Sequence, residues 1–187
     1  MPKLNIIVCS TRPTRAGLPI AEWLHSFARD HGGFDCELVD LATFNLPVFD
    51  EPEHPRLQKY KHEHTKRWSA SVASADAFVF VTPEYNHGAP PALINALNYL
   101  NREWQYKPAG LVSYGGVSGG LRAVQAEKLA FTSLKMVPIV EGVIIPNFVQ
   151  HIGEDKTFRP NDLHVESARV MLNELIRWSR ALAPLRG

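Results

Sequence analysis

The sequence predicts a doubly wound α/β fold, a parallel sheet with helices on both faces, and three observations carry that prediction. Strand-length apolar runs alternate with helical patterns from end to end. One run, Ala77 to Val81, is apolar throughout, as a strand covered on both faces should be. The loops richest in chemistry all follow strands, the edge at which such sheets bind ligands.

Element by element, the first strand is Leu4 to Cys9, and the polar turn Ser10 to Ala16 leads into a helix from Leu18 to His31. Pro19 suits that helix's first turn; Ile20, Leu24, Phe27 and Ala28 share a face, and Gly32 and Gly33 stop it. A second strand is expected over Phe34 to Val39, where Cys36, Leu38 and Asp40 alternate with Asp35, Glu37 and Val39. A polar, proline-bearing segment from Leu46 to Pro55 precedes a helix ending near Ser74, and the third strand, Ala77 to Val81, follows. Beyond the loop Thr82 to Ala89 comes a helix from Pro90 to Leu100, then a strand from Gly110 to Tyr114. The glycine-rich loop Gly115 to Gly120 opens a helix reaching about Leu134. The fifth strand is Val137 to Val140, extended by Val143 to Ile145, and the last helix runs from Asn161 to Leu182 with Ala168, Met171, Leu172, Leu175 and Leu182 at helical spacing. Trp23, Trp68 and Trp178 on helices read as packing residues.

Residues 1–187 fit a single domain, because one core commonly serves ~100 to 200 residues. Twenty Lys and Arg against 19 Asp and Glu leave a net charge of +1, too weak a field to gather nucleic acid. No apolar stretch approaches the ~18 residues of a membrane span, and the first ten residues lack the pattern of a secretion signal, so a soluble cytoplasmic protein is expected. Two cysteines, Cys9 and Cys36, in strand-like segments that could be neighbours, make no disulfide scaffold and are expected to be reduced.

Three post-strand loops carry the candidate chemistry. The first, Ser10-Thr11-Arg12-Pro13-Thr14-Arg15-Ala16-Gly17, puts two guanidiniums and several hydroxyls before a helix amino end, a setting that suits a phosphate. A capped helix with surface arginines fits the same residues. The second, Pro83-Glu84-Tyr85-Asn86-His87-Gly88, offers an aromatic face and in-plane hydrogen-bonding groups for a flat heteroaromatic ring, and its composition also fits a tight turn. The third, Tyr114-Gly115-Gly116-Val117-Ser118-Gly119-Gly120, lets backbone pass close to a ligand.

Taken jointly and in this order, the three loops resemble the NADPH-dependent FMN reductase family, which includes flavin-dependent quinone, azo-dye and chromate reductases. The resemblance implies a flavodoxin-like sheet with strand order 2-1-3-4-5 and bound FMN. It also implies hydride transfer from NADPH or NADH through the flavin to a small acceptor. By resemblance Ser10, Arg12, Arg15 and Gly17 hold the FMN phosphate. Pro83, Glu84, Tyr85, Asn86 and His87 lie along the isoalloxazine, with Tyr114, Gly115 and Gly116 at its other edge. No side chain is obliged to act as acid or base. The family is commonly dimeric or tetrameric, and Leu97, Leu100 and Trp104 would suit a subunit contact, with Trp104 and Tyr106 as alternative lining of the acceptor pocket; packing in the core is the plainer reading of Trp104 and Tyr106. Cys9 stands where the family usually has glycine, which predicts a tighter loop entrance.

Two rivals use the same residues. Cys9 and Arg15 have the spacing of a cysteine-dependent phosphatase, a chemistry also built on this topology. Against it, Pro13 removes a loop N–H, no Ser or Thr follows Arg15, and the later loops go unexplained. A flavodoxin-like electron carrier would be strongly acidic, and this chain is near neutral. His62 and His64, two apart on a helix, would point about 200° away from each other and so not share a metal ion. His87 is read equally as a ring-loop residue or a surface turn histidine.

Overall fold

The computed structural model describes residues 1–186. Its elements run β1 (Lys3–Val8), α1 (Gly17–His31), β2 (Asp35–Asp40), α2 (Glu63–Ser74), β3 (Ala77–Pro83), α3 (Pro91–Asn98), β4 (Pro108–Tyr114), α4 (Leu121–Ser133), β5 (Val137–Ile145) and α5 (Asp162–Leu182), with short 3-10 turns between. The strands form one parallel sheet in the order β2-β1-β3-β4-β5, the flavodoxin-like order.

Alternation along each strand divides the core in two. Leu4, Ile6, Val8, Val79, Val81 and Val112 face α1 and α5, where Leu24, Met171 and Leu175 meet them. Ile7, Phe78, Phe80 and Leu111 face α2, α3 and α4 and pack on Trp68, Leu93 and Phe131. The central strands β3 and β4 are buried at every position, as strands covered on both faces must be.

The strands differ from the sequence expectations at their ends, and pairing is the reason. β2 slides one residue on, to Asp35–Asp40, because its register on β1 runs from Lys3↔Asp35 to Val8↔Asp40. β3 continues to Pro83 because Thr82 and Pro83 still pair with Ser113 and Tyr114 of β4. β5 is continuous, its two apolar halves joined through an irregularity opposite Ala109 and Leu111. Cys9 falls just past β1, although its N–H still donates to the Val81 carbonyl at 3.0 Å.

Several side chains lie elsewhere than the sequence suggested. Leu97, Leu100 and Trp104 are buried inside the chain and cannot form a subunit contact, and Trp104 is wedged among Trp68, Phe78 and Phe80 rather than lining a pocket. Trp178 is 40% exposed, not packed away. Cys9 and Cys36 are both free and belong to opposite faces of the sheet, so they are not neighbours. His62 lies outside α2 in extended backbone, so helical geometry does not separate it from His64. Their rings stack at 5.1 Å, and His64 Nε2 meets the Asp50 carboxylate at 3.0 Å. Among the described residues no helix is long and apolar enough to cross a membrane.

Candidate functional site

Parallel strands deliver the three loops to one edge because β1, β3 and β4 are adjacent and end at the same level. Two cross-loop ties hold them in place. Ser10 Oγ, buried after β1, lies 2.6 Å from the Tyr85 hydroxyl of the loop after β3, and the Arg12 guanidinium stands 5.9 Å from the Tyr85 ring centroid. Glu84 joins the second loop to the third: its carboxylate accepts from Arg122 Nε at 2.6 Å, Arg122 N–H at 3.1 Å and Ser118 Oγ at 3.2 Å. Partial burial of Glu84 opposes ionisation, but these hydrogen bonds and the Arg122 charge outweigh it and hold the carboxyl below its usual range. Ser118 and Arg122 were not singled out from the sequence; more than thirty residues from their partner, they carry no local signal.

In the first loop, α1 begins at Gly17 after Ala16, which supplies no side-chain cap, and its first turn holds no acid. The open N–H groups and positive end of the helix are therefore left for an anion. Arg15 is tied to Asp40 at the end of β2 and to the Arg12 carbonyl, yet its Nε is buried without a partner. Arg12 is exposed. Gly17 allows a close approach: a Cβ there would sit 2.7 Å from the Tyr114 hydroxyl, in a ring packed on Phe148 and 3% exposed. Burial is the main reason the Tyr114 hydroxyl is raised above its ordinary range. Beside this loop, Thr14, Ala16, Leu18, Phe148 and Ile152 line a cleft of about 670 Å³.

The second loop is a two-residue turn: Tyr85 and Gly88 exchange N–H to carbonyl bonds at 3.0 and 2.9 Å, and Asn86 and His87 adopt φ of 50° and 66°. That is the type I′ geometry, so the turn reading of its composition is right. The tight turn leaves Asn86 and His87 exposed above the sheet edge, and Pro83 buried as the last residue of β3. In the third loop Gly115 and Gly116 are anchored to the segment after β5 through Phe148 N–H and Asn147 N–H. Gly116 is exposed, and Gly120 closes the loop at φ 85° as the residue before α4.

The geometry bears on the rivals as well. Cys9 is fully buried, and burial, reinforced by the Glu127 charge, raises its thiol well above the ordinary value; such a thiol is no phosphatase nucleophile. Its side chain is housed in the core and its φ is not left-handed, so Cys9 does not narrow the loop entrance as expected.

Fold and loops together define a flavodoxin-like protein that gathers Ser10, Arg12, Glu84 and Tyr85 at the carboxyl edge of its sheet. A family model described as NADPH-dependent FMN reductase matches residues 2–150. An NAD(P)H-dependent FMN reductase of Schizosaccharomyces pombe is 41% identical over 171 residues, 83% of this chain and 86% of that protein. An NADPH azoreductase of a Bacillus species is 32% identical over 123 residues, 65% and 67% of the two chains. Among solved structures, the NAD(P)H:(acceptor) oxidoreductase FerB of Paracoccus denitrificans superposes with a TM-score of 0.78 at 19% identity, covering 97% of this chain and 98% of that one. The chain belongs to the NADPH-dependent FMN reductase family, a family of flavin-binding oxidoreductases.

Proposed function

We propose that residues 1–187 form a single FMN-binding domain that passes electrons from NADPH or NADH to a small acceptor: a quinone, a free flavin, an azo compound or a metal oxyanion. The observation that carries this reading is the uncapped start of α1 beside the Tyr85 platform, an anion site and a ring site joined by the Ser10 to Tyr85 hydrogen bond. FMN bound there would supply the redox chemistry, accepting hydride from the nicotinamide and returning two electrons to the acceptor.

The residues have distinct duties in this reading. Ser10, the first-turn N–H groups at Gly17, exposed Arg12 and the unpartnered Nε of Arg15 would hold the phosphate. Pro83, Tyr85, Asn86 and His87 would flank the ring on one side, with Gly115 and Gly116 on the other. Glu84 and Tyr114 would position it, Glu84 by clamping the loops together and Tyr114 by backing the first loop from below. The second reactant needs an open ring face, and the exposed turn at Asn86 and His87 supports one. In an assembly of two or four copies the subunit contact would fall on the outer side of α3, where Ile94 is exposed beside Phe49, whose N–H donates to Asn95 Oδ1.

Steady NADPH oxidation by the purified protein with a soluble quinone and no partner protein is the expected result. Failure to turn over with every small acceptor, in protein that carries FMN, would contradict the enzymatic reading and favour a carrier.

A further inference from the structure

One layer below the three loops, the sheet presents a buried polar cluster on the face covered by α2, α3 and α4. Cys9, Thr82 and Ser113 stand side by side across β1, β3 and β4: Cys9 follows the strand pair Val8 and Val81, and Thr82 is in register with Ser113. The next residue along each chain is Ser10, Pro83 or Tyr114, all of the candidate site. All three are fully buried, and so is Glu127 of α4, which reaches down onto them. The Thr82 hydroxyl donates to Glu127 Oε1 at 2.5 Å, whereas Glu127 Oε2 and Ser113 Oγ are buried with no partner.

Among the described residues no cation pairs with Glu127. The titratable group facing it is the Cys9 thiol, itself raised by burial and by Glu127. The helices packed on this face add apolar side chains there, Leu93 and Val124 among them. Burial pushes the Glu127 carboxyl up to about 8, against a small opposing effect of the Thr82 hydrogen bond, so it is protonated at neutral pH. An apolar residue would fill the position at lower cost, and a costly buried acid beside a ligand site points to function.

We propose that Glu127, buried one layer below the loops with one carboxyl oxygen unpartnered and no cation beside it, sets how readily the redox site above accepts the negative charge that hydride delivery brings. The proposal rests on the FMN reading. Hydride carries two electrons and one proton; the nicotinamide leaves oxidised, the site becomes one charge more negative, and Glu127 neither gains nor loses a proton. An ionised Glu127 adds a second negative charge across a low-dielectric layer and opposes the reduction, by roughly tenfold in its equilibrium constant. Glu127 is thus a positioning residue in the electrostatic sense, touching neither reactant.

The test is a redox titration of FMN-loaded wild type and Glu127→Gln at pH 7 and pH ~9.5. The expected ratio of their reduction equilibria is near one at the lower pH and falls about tenfold, against the wild type, at the higher, where its carboxyl ionises. A ratio unchanged between the two would overturn the proposal. A second measurement needs no variant: isotope-edited infrared titration of the wild-type protein without FMN should show a protonated carboxyl at pH 7 that is lost near pH 8. Full ionisation of the carboxylates at pH 7 would also overturn it. If the protein retains no FMN the proposal falls with the cofactor reading, and a protonated carboxyl in the same sample would trace the failure to that reading.

Discussion

Gly17 and Tyr114 divide a small space between them, and the division shapes the first loop. A methyl group at position 17 would meet the Tyr114 hydroxyl at 2.7 Å, and the ring, packed on Phe148, has little freedom to retreat. Gly17→Ala should therefore cost about 1–3 kcal/mol in chemical denaturation, the usual range for overpacking. Unchanged stability would mean that the ring yields. Glu84→Gln keeps the shape of the clamp and removes its charge. Charge-assisted hydrogen bonds that are partly screened should lose roughly 1 kcal/mol, read as about fivefold weaker FMN retention in equilibrium dialysis; unaltered retention would show that the loops need no clamp. At this scale the sequence was informative about residue type and silent about partners. Ser10 and Tyr85 stood out by position in their loops, but the pairing of Arg15 with Asp40 joins residues 25 apart and has no local mark. Glu127 was hidden for a related reason, because a charged residue in the polar pattern of α4 reads as solvated until the sheet is seen beneath it.

At the scale of elements, α1 and α5 begin in opposite ways. The start of α1 is left uncapped, whereas that of α5 is closed by a reciprocal box: Asn161 Oδ1 accepts from His164 N–H at 2.9 Å, and His164 Nδ1 accepts from Asn161 N–H at 3.3 Å. The box marks a structural role for the start of α5; α1 shares its lack of a side-chain cap with α2, α3 and α4, so its proposed ligand role rests on the arginines and hydroxyls of the loop before it. The box fixes the His164 tautomer and needs the ring neutral. Burial, aided by His151, holds its pKa below the ordinary value of about 6.5, so the unfolded chain takes up protons first as pH falls. Stability carried by the neutral ring is complete above about pH 6.5 and is lost as pH falls through the depressed value. Denaturation midpoints should decline over that window in the wild type and decline less in His164→Gln, which removes the titrating ring. Equal slopes in the two proteins would contradict the assignment. Helix and strand identity was legible throughout, because periodicity is a local property; strand ends were not, because β2 and β3 end where their neighbours stop pairing.

For the whole molecule, the order β2-β1-β3-β4-β5 makes three loops distant in sequence into one surface. Alternating apolar runs sufficed to anticipate the parallel sheet, and the joint occurrence of the loops anticipated the family. What did not survive was the subunit contact placed on Leu97, Leu100 and Trp104. Their apolar character was evident, but whether they face outward depends on Phe78 and Phe80, which arrive from another strand and claim Trp104 for the core. The central claim, that the carboxyl edge holds a working FMN, is tested most directly by the visible spectrum of the purified protein before and after anaerobic NADPH. Oxidised-flavin bands retained through gel filtration and bleached by NADPH are the predicted result. A colourless protein that also fails to retain added FMN would contradict it.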